Sequence, residues 1–127
     1  MNAKQEQYPL VTARVKLTLC KEERFFGPGV CELLELISET GSIQAAAARM
    51  EMSYSKAWKI LKRAEEEMGV NLITRVTGGK NGGSSTLTET GAKAVSDFRE
   101  MERRLAAYAD ELMKEHSYSF NRGEEGE

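Results

Sequence analysis

Apolar and polar residues alternate through PLVTARVKLTLC, with Val11, Val15, Leu17 and Leu19 on one parity. That period of two predicts a strand with one buried face. FFGPG interrupts it: Gly27, Pro28 and Gly29 predict a turn, with the proline suited to an early helical position. The period then changes. In GVCELLELISET, Val30, Leu33, Leu34 and Ile37 recur at helical spacing, and Gly41 marks a natural stop. Ser42 predicts the cap of a second helix, IQAAAARM, whose four consecutive alanines permit close approach of a neighbour. After the short turn EMS, Ser53 predicts the cap of a third helix, YSKAWKILKRAEEEM, with Gly69 just past its end.

Further along, Leu72, Ile73 and Val76 form a short apolar run, followed by a glycine-rich stretch and then STLT. This pattern predicts strand, loop, strand. Thr88, or Thr90 slightly later, opens a last helix in which Phe98, Met101, Leu105, Tyr108 and Leu112 step by three, four, three and four. Such stepping is a heptad seam, about two heptads long. Met1 to Gln7 are polar and expected to be mobile, and the closing RGEEGE is acidic and expected to be disordered. Two helices joined by a turn of a few residues are a helix-turn-helix. The order of elements therefore predicts a mainly α fold with a small β component: a winged helix-turn-helix with an N-terminal strand, a β-hairpin wing and a long C-terminal dimerisation helix. The expected division is 1–88 for the winged domain with its strand, 89–116 for the dimerisation helix and 117–127 for a disordered tail.

At 127 residues and 40% hydrophobic content, the chain has material for one modest core. Its net charge of −2 argues against a wholly basic surface, yet the charge is uneven. From Arg49 to Lys93 there are eight Lys/Arg against five Asp/Glu, so this stretch is +3 and the remainder −5. An anion-binding face is expected in the middle of the sequence. Cys20, Cys31 and the lone His116 lack metal-site spacing, so buried thiols, a solvent-facing histidine and no metal are expected. No apolar run is long enough for a bilayer and no signal peptide opens the chain, which predicts a cytoplasmic protein without membrane association.

The third helix carries the chemistry. Between Ser53 and Arg63 stand four cations, Lys56, Lys59, Lys62 and Arg63, and no carboxylate. Ala57, Leu61, Ala64 and Met68 supply the buried stripe, while Glu65, Glu66 and Glu67 come only at the far end. Ser53, Tyr54 and Ser55 offer hydroxyls in the first turn, where a recognition helix touches base edges. Lysines beyond them can neutralise phosphates, which sets affinity and orientation without specifying sequence. A lysine-rich helix face is also a common solvated face; its place in a helix-turn-helix beside a wing distinguishes this one. Trp58 is either a core anchor or an exposed stacking platform, and its large apolar area favours partial burial.

The stretch RVTGGKNGGSSTLTETG holds five of the eleven glycines and a lysine, ingredients of a phosphate loop. A nucleotide loop needs G-x-x-x-x-G-K-[ST] between strand and helix. Gly78 and Gly83 have that separation, but Ser84 stands where lysine is required, and strand rather than helix is predicted next. One histidine near the tail gives no support to a Ser/His/Asp set, so no enzymatic role and no cofactor are expected. As a hairpin tip, the same glycines permit tight turns near a DNA backbone, and Lys80 becomes a phosphate contact. The alternative non-enzymatic reading is a winged-helix protein-interaction module without direct DNA binding. Its expected mark is an acidic or apolar third helix, and this one is cationic. The aromatic strand signature of RNA platforms is absent.

GSIQAAAARMEMSYSKAWKILKRAEEEMGVNLITR resembles the N-terminal DNA-binding region of LysR-type regulators, especially in EEEMGVNLITR and the later LTETG. SYSKAW together with TGGKNGGSSTLTETG is closer still to the N-terminal domain of the ModE family of molybdate-responsive regulators, and RFFGPGVCELLELISETGSI resembles that family's first helix. The likeness runs from about Val15 to Leu112. It implies a dimeric transcription regulator, and with the heptad seam and the basic third helix the expectation is a homodimer on double-stranded DNA at an inverted-repeat operator. The DNA-facing residues it implies are Ser53, Tyr54, Ser55, Lys56, Lys59 and Lys62 on the third helix, with Arg75, Lys80 and Asn81 on the wing spanning Gly78 to Ser85. Full-length members of the family continue into small β-barrel domains that bind molybdate. With only a short stretch after the long helix, no such domain is expected in these residues, and the effector is unassigned.

Overall fold

A computed structural model of the chain describes residues 10–76 and 83–121. It divides into two units, Leu17–Arg99 and a second made of Met1–Lys16 with Glu100–Glu127. Among the described residues the elements run β1 (Leu19–Cys20), β2 (Arg24–Phe26), α1 (Pro28–Thr40), α2 (Ile43–Arg49), α3 (Tyr54–Met68), β3 (Ile73–Val76), β4 (Ser84–Leu87) and α4 (Glu89–Phe120). Both strand pairs are antiparallel, β1 with β2 and β3 with β4. The order is the mainly helical, winged helix-turn-helix arrangement that the periodicity predicts.

Each helix of the first unit begins and ends where local chemistry dictates. Pro28 opens α1, where its missing N–H would have no intrahelical partner in any case, and Gly41 closes it at φ 77°. The Ser42 hydroxyl accepts from Ala45 N at 3.0 Å, and the Ser53 hydroxyl accepts from Lys56 N at 3.1 Å, so both predicted caps are in place. Gly69 ends α3 at φ 70°, with its N–H donating to Glu65 O. The buried stripes of the three helices meet in one core. Leu33, Leu34 and Ile37 of α1 face Ala46 and Ala47 of α2 and Ala57, Leu61 and Ala64 of α3, with Cys31, Ile43 and Leu72 filling between. Alanines at the α2 contact leave room for a neighbouring helix, and Phe26, Leu33, Leu34, Ile37, Leu61 and Leu72 are fully buried in this unit.

The N-terminal strand is shorter than the alternation predicts. Only Leu19–Cys20 is strand, and its partner is β2, which runs into the FFGPG stretch predicted as an interruption. Leu17 and Leu19 pack against the core, whereas Val11 and Val15 are exposed, Val15 by 54%. Alternation marks a face, but a strand also needs a neighbour to satisfy its N–H and C=O groups. The turn between β1 and β2 closes after Cys20, and no described strand pairs with the residues before Leu19. Cys31 is buried as expected, but Cys20 is exposed, at the hairpin end rather than in the core.

The β3–β4 hairpin and the start of α4 are fastened to this core at several points. Ser85 N donates to Gly41 O at 2.8 Å, tying β4 to the turn between α1 and α2. Thr88 donates through Oγ1 to Asn71 O at 2.7 Å and accepts there from Gly91 N at 2.9 Å, so it caps α4. At Gly91 the helix passes so close to the chain before β3 that a Cβ would stand 3.0 Å from the Leu72 carbonyl carbon and closer to its oxygen. Only glycine fits there. Further along α4, Arg99 donates from Nε and Nη2 to the two carboxylate oxygens of Glu35, at 3.0 and 2.8 Å.

Phe98 corrects the predicted seam. It is 1% exposed and its ring lies 5.2 Å from that of Phe26, in the core of the first unit. The heptad count identifies apolar positions along a helix, but which surface each meets depends on where that helix packs. Of the seam, Met101, Leu105, Tyr108 and Leu112 belong to the second unit, and all four are exposed, Tyr108 by 60%. In that unit Ala109 is buried, and Val11 N donates to Asn121 Oδ1 at 2.9 Å. The helix continues to Phe120, so Ser117 to Phe120 are helical where a tail is predicted. The expectations for Met1 to Gln7 and for RGEEGE from Arg122 onward lie outside the described residues.

Candidate nucleic-acid interface

Because Ala57, Leu61 and Ala64 turn inward, α3 exposes Lys59, Lys62 and Arg63 between them. Ser55, Lys59 and Lys62 stand successively four and three residues apart, a spacing that places them along one outward face. All three are exposed, as are Ser53, Tyr54 and Lys56 around the first turn. Ser53 is partly committed, since its oxygen already accepts from Lys56 N. Arg63 leaves the cationic face altogether. Its Nη2 donates to Glu23 Oε1 at 2.7 Å and its Nε to Arg24 O at 3.3 Å, so it binds α3 to the β1–β2 hairpin. Glu65 is likewise occupied, with Oε2 accepting from Leu72 N at 2.8 Å and from Ile73 N at 3.4 Å.

The flank of α3 that faces the hairpin gathers side chains from both elements. Tyr54, Trp58 and Lys62 follow one another at intervals of four, and Arg75 of β3 reaches across to them. Arg75 Nη2 donates to the Tyr54 hydroxyl at 3.1 Å, and its guanidinium carbon lies 4.8 Å from the centre of the Trp58 ring. Lys62 Nζ lies 5.4 Å from the same ring. Each cation over an indole face contributes about 0.5–1 kcal/mol at a site of this exposure. Trp58 is half-buried, packed against the core and with both cations over its ring. An open groove of about 350 Å³ lies here, lined by Trp58, Lys62, Glu65, Thr74 and Arg75 among others.

The structure therefore unites Tyr54, Lys62 and Arg75, which the sequence treats as separate sites on helix and wing. Ser55, Lys56 and Lys59 remain on the exposed surface of α3. Lys80 and Asn81, and with them most of the predicted wing loop, lie outside the described residues. Sequence reasoning missed the groove itself, including the share of Asn71, Thr74 and Thr88 in its lining. No local signal marks it, because it arises only when β3 docks beside α3. Among the described residues no group of three or more His, Cys, Asp or Glu could hold a metal ion, and no helix is long and apolar enough to cross a membrane.

Residues 30–92 match the family described as bacterial regulatory helix-turn-helix protein, lysR family. The chain is 38% identical over 95 residues to the molybdenum transport protein ModE of Herbaspirillum seropedicae, covering 75% of this chain and 34% of that protein. It is 33% identical over 84 residues to the DNA-binding transcriptional dual regulator ModE of Escherichia coli, covering 65% of this chain and 32% of that one. The chain thus spans about a third of the length of the curated relatives it matches. Among solved structures, a mutant of ZitR from Lactococcus lactis aligns over 89% of this chain and 77% of its own, with a TM-score of 0.51 and 16% identity, a likeness of fold alone.

Proposed function

Since residues 30–92 belong to the lysR family of bacterial regulatory helix-turn-helix proteins and the chain is a ModE homologue over most of its length, we propose that it acts as a homodimer binding a sequence-specific, inverted-repeat DNA operator in the cytoplasm. The single observation that carries this reading is α3 itself. It buries Ala57, Leu61 and Ala64 while exposing Lys56, Lys59 and Lys62 with no carboxylate between Ser53 and Arg63. In this reading α3 enters the major groove. Ser53, Tyr54 and Ser55 face base edges, and Lys56, Lys59, Lys62 and Arg75 face phosphates. Pairing of two copies through Met101, Leu105, Tyr108 and Leu112 would set two such helices about 34 Å apart, one turn of DNA. Phe98 lies in the core and Arg99 is engaged with Glu35, so the pairing surface begins after them.

Selection of binding sites from random duplex DNA tests the proposal. The expected result is enrichment of one sequence with two-fold symmetry. No enrichment would sink it. Repeating the selection with and without molybdate asks whether this chain responds to that anion, since the Herbaspirillum seropedicae relative is named a molybdenum transport protein.

A further inference from the structure

The groove between α3 and β3 has a feature that a plain cationic face does not need. Its two cations share one aromatic support. Arg75 Cζ and Lys62 Nζ lie 4.8 and 5.4 Å from the Trp58 ring centre, and Arg75 is also held by the Tyr54 hydroxyl at 3.1 Å. A long side chain loses much rotamer freedom when it grips a phosphate, and a support that restricts it beforehand reduces that loss. The Glu65 carboxylate in the same groove has one oxygen turned to the N–H groups of Leu72 and Ile73. The lining of the groove thus sets two cations, Arg75 and Lys62, against the one carboxylate of Glu65, a net positive balance.

We propose that Trp58 is a positioning residue: with the Tyr54 hydroxyl it holds Arg75, and beside it Lys62, at the groove between α3 and β3, which seats the sugar–phosphate strand bordering the major groove that receives α3. The assignment rests on the DNA-binding reading above. It gives Trp58 a role acting through Arg75 rather than through a base. It also gives the Tyr54 hydroxyl a task in addition to base contact. A duplex with α3 in its major groove must pass a backbone strand along the flank of that helix, and this flank is the one faced by the hairpin.

The test uses a labelled duplex of randomised sequence, because phosphate seating is independent of base order. Affinity is measured from about 50 to 200 mM salt for the wild type, Arg75→Ala, Trp58→Leu, Trp58→Phe and the Trp58→Leu/Arg75→Ala double variant. Arg75→Ala is expected to lower the salt slope by about one unit. Trp58→Leu should weaken binding severalfold, and Trp58→Phe should restore most of it. Arg75→Ala should cost much less in the Trp58→Leu background than alone. Losses that multiply in the double variant would overturn the proposal, because Arg75 would then act without Trp58.

Trp58 is the only tryptophan, so its emission reports this site alone. Arg75→Ala should shift that emission to longer wavelength in the free protein, as water replaces the guanidinium over the ring. An unchanged spectrum would overturn the proposal even if Trp58→Leu fails to fold. A wild type that binds no duplex would overturn the DNA-binding reading together with this one. Binding without coupling between Trp58 and Arg75 would overturn this one only.

Discussion

Lys59 and Arg63 lie one helical turn apart and show how differently like charges are used. Arg63 is engaged with Glu23 and the Arg24 carbonyl, whereas Lys59 is exposed on the outward face of α3. Lys59→Ala is therefore expected to weaken binding to every duplex and lower the salt slope by about one unit, measured by titration at several salt concentrations. An unchanged slope would show that Lys59 meets no phosphate. Glu35 belongs to stability instead. The Arg99 hydrogen bonds, aided by its charge and opposed by burial, hold the Glu35 carboxyl below its ordinary value of 4.5. The folded state thus favours the charged form, so this pair's contribution is complete above that ordinary value and is lost as pH falls through the lower folded one. Both side chains are partly exposed, which limits the contribution to about 1 kcal/mol or less. Melting temperatures from about pH 6 to pH 3 should fall, and the Glu35→Gln variant should show a smaller part of that fall. Of Thr88 and Thr90 the structure selects Thr88, whereas caps at Ser42 and Ser53 were legible residue by residue, because a hydroxyl before a helix bonds its own first turn. The Glu35–Arg99 pair, separated by 64 positions, was not.

At the scale of elements, α1 and α3 follow from the period of their apolar residues and from the glycines that end them, and α2 from its Ser42 cap. The β1–β2 hairpin was hidden because its strands have only two and three residues, too short for alternation to register. The last helix was legible as a helix, but its seam runs across two environments. Phe98→Ala should cost about 3–5 kcal/mol in urea unfolding, as expected of a buried aromatic whose removal leaves a cavity beside Phe26. Tyr108→Ala, at an exposed position of the same helix, should leave the stability of the monomer within about 0.5 kcal/mol. Equal losses at both positions would contradict the division of the seam. Gly91 belongs to this scale as well. Its identity follows from the approach of α4 to Leu72, a contact between elements that no local pattern announces.

For the whole molecule, the exposed Met101, Leu105, Tyr108 and Leu112 predict assembly. Sedimentation at micromolar concentration should show a dimer, and a Leu105→Asp/Tyr108→Asp variant should sediment as a monomer with its first unit still folded. A monomeric wild type would refute the pairing surface. Sequence by itself determined the four helices and their order, the boundaries of α1 and α3 and the cationic character of α3, because periodicity, capping and charge act over a few neighbouring residues. Tertiary structure alone decided that Phe98 belongs to the core, that Arg63 and Glu65 are committed within the fold, and that Tyr54, Trp58, Lys62 and Arg75 form one cluster. These outcomes depend on which surfaces meet when distant segments pack. A single chain position carries no record of its neighbour across the groove.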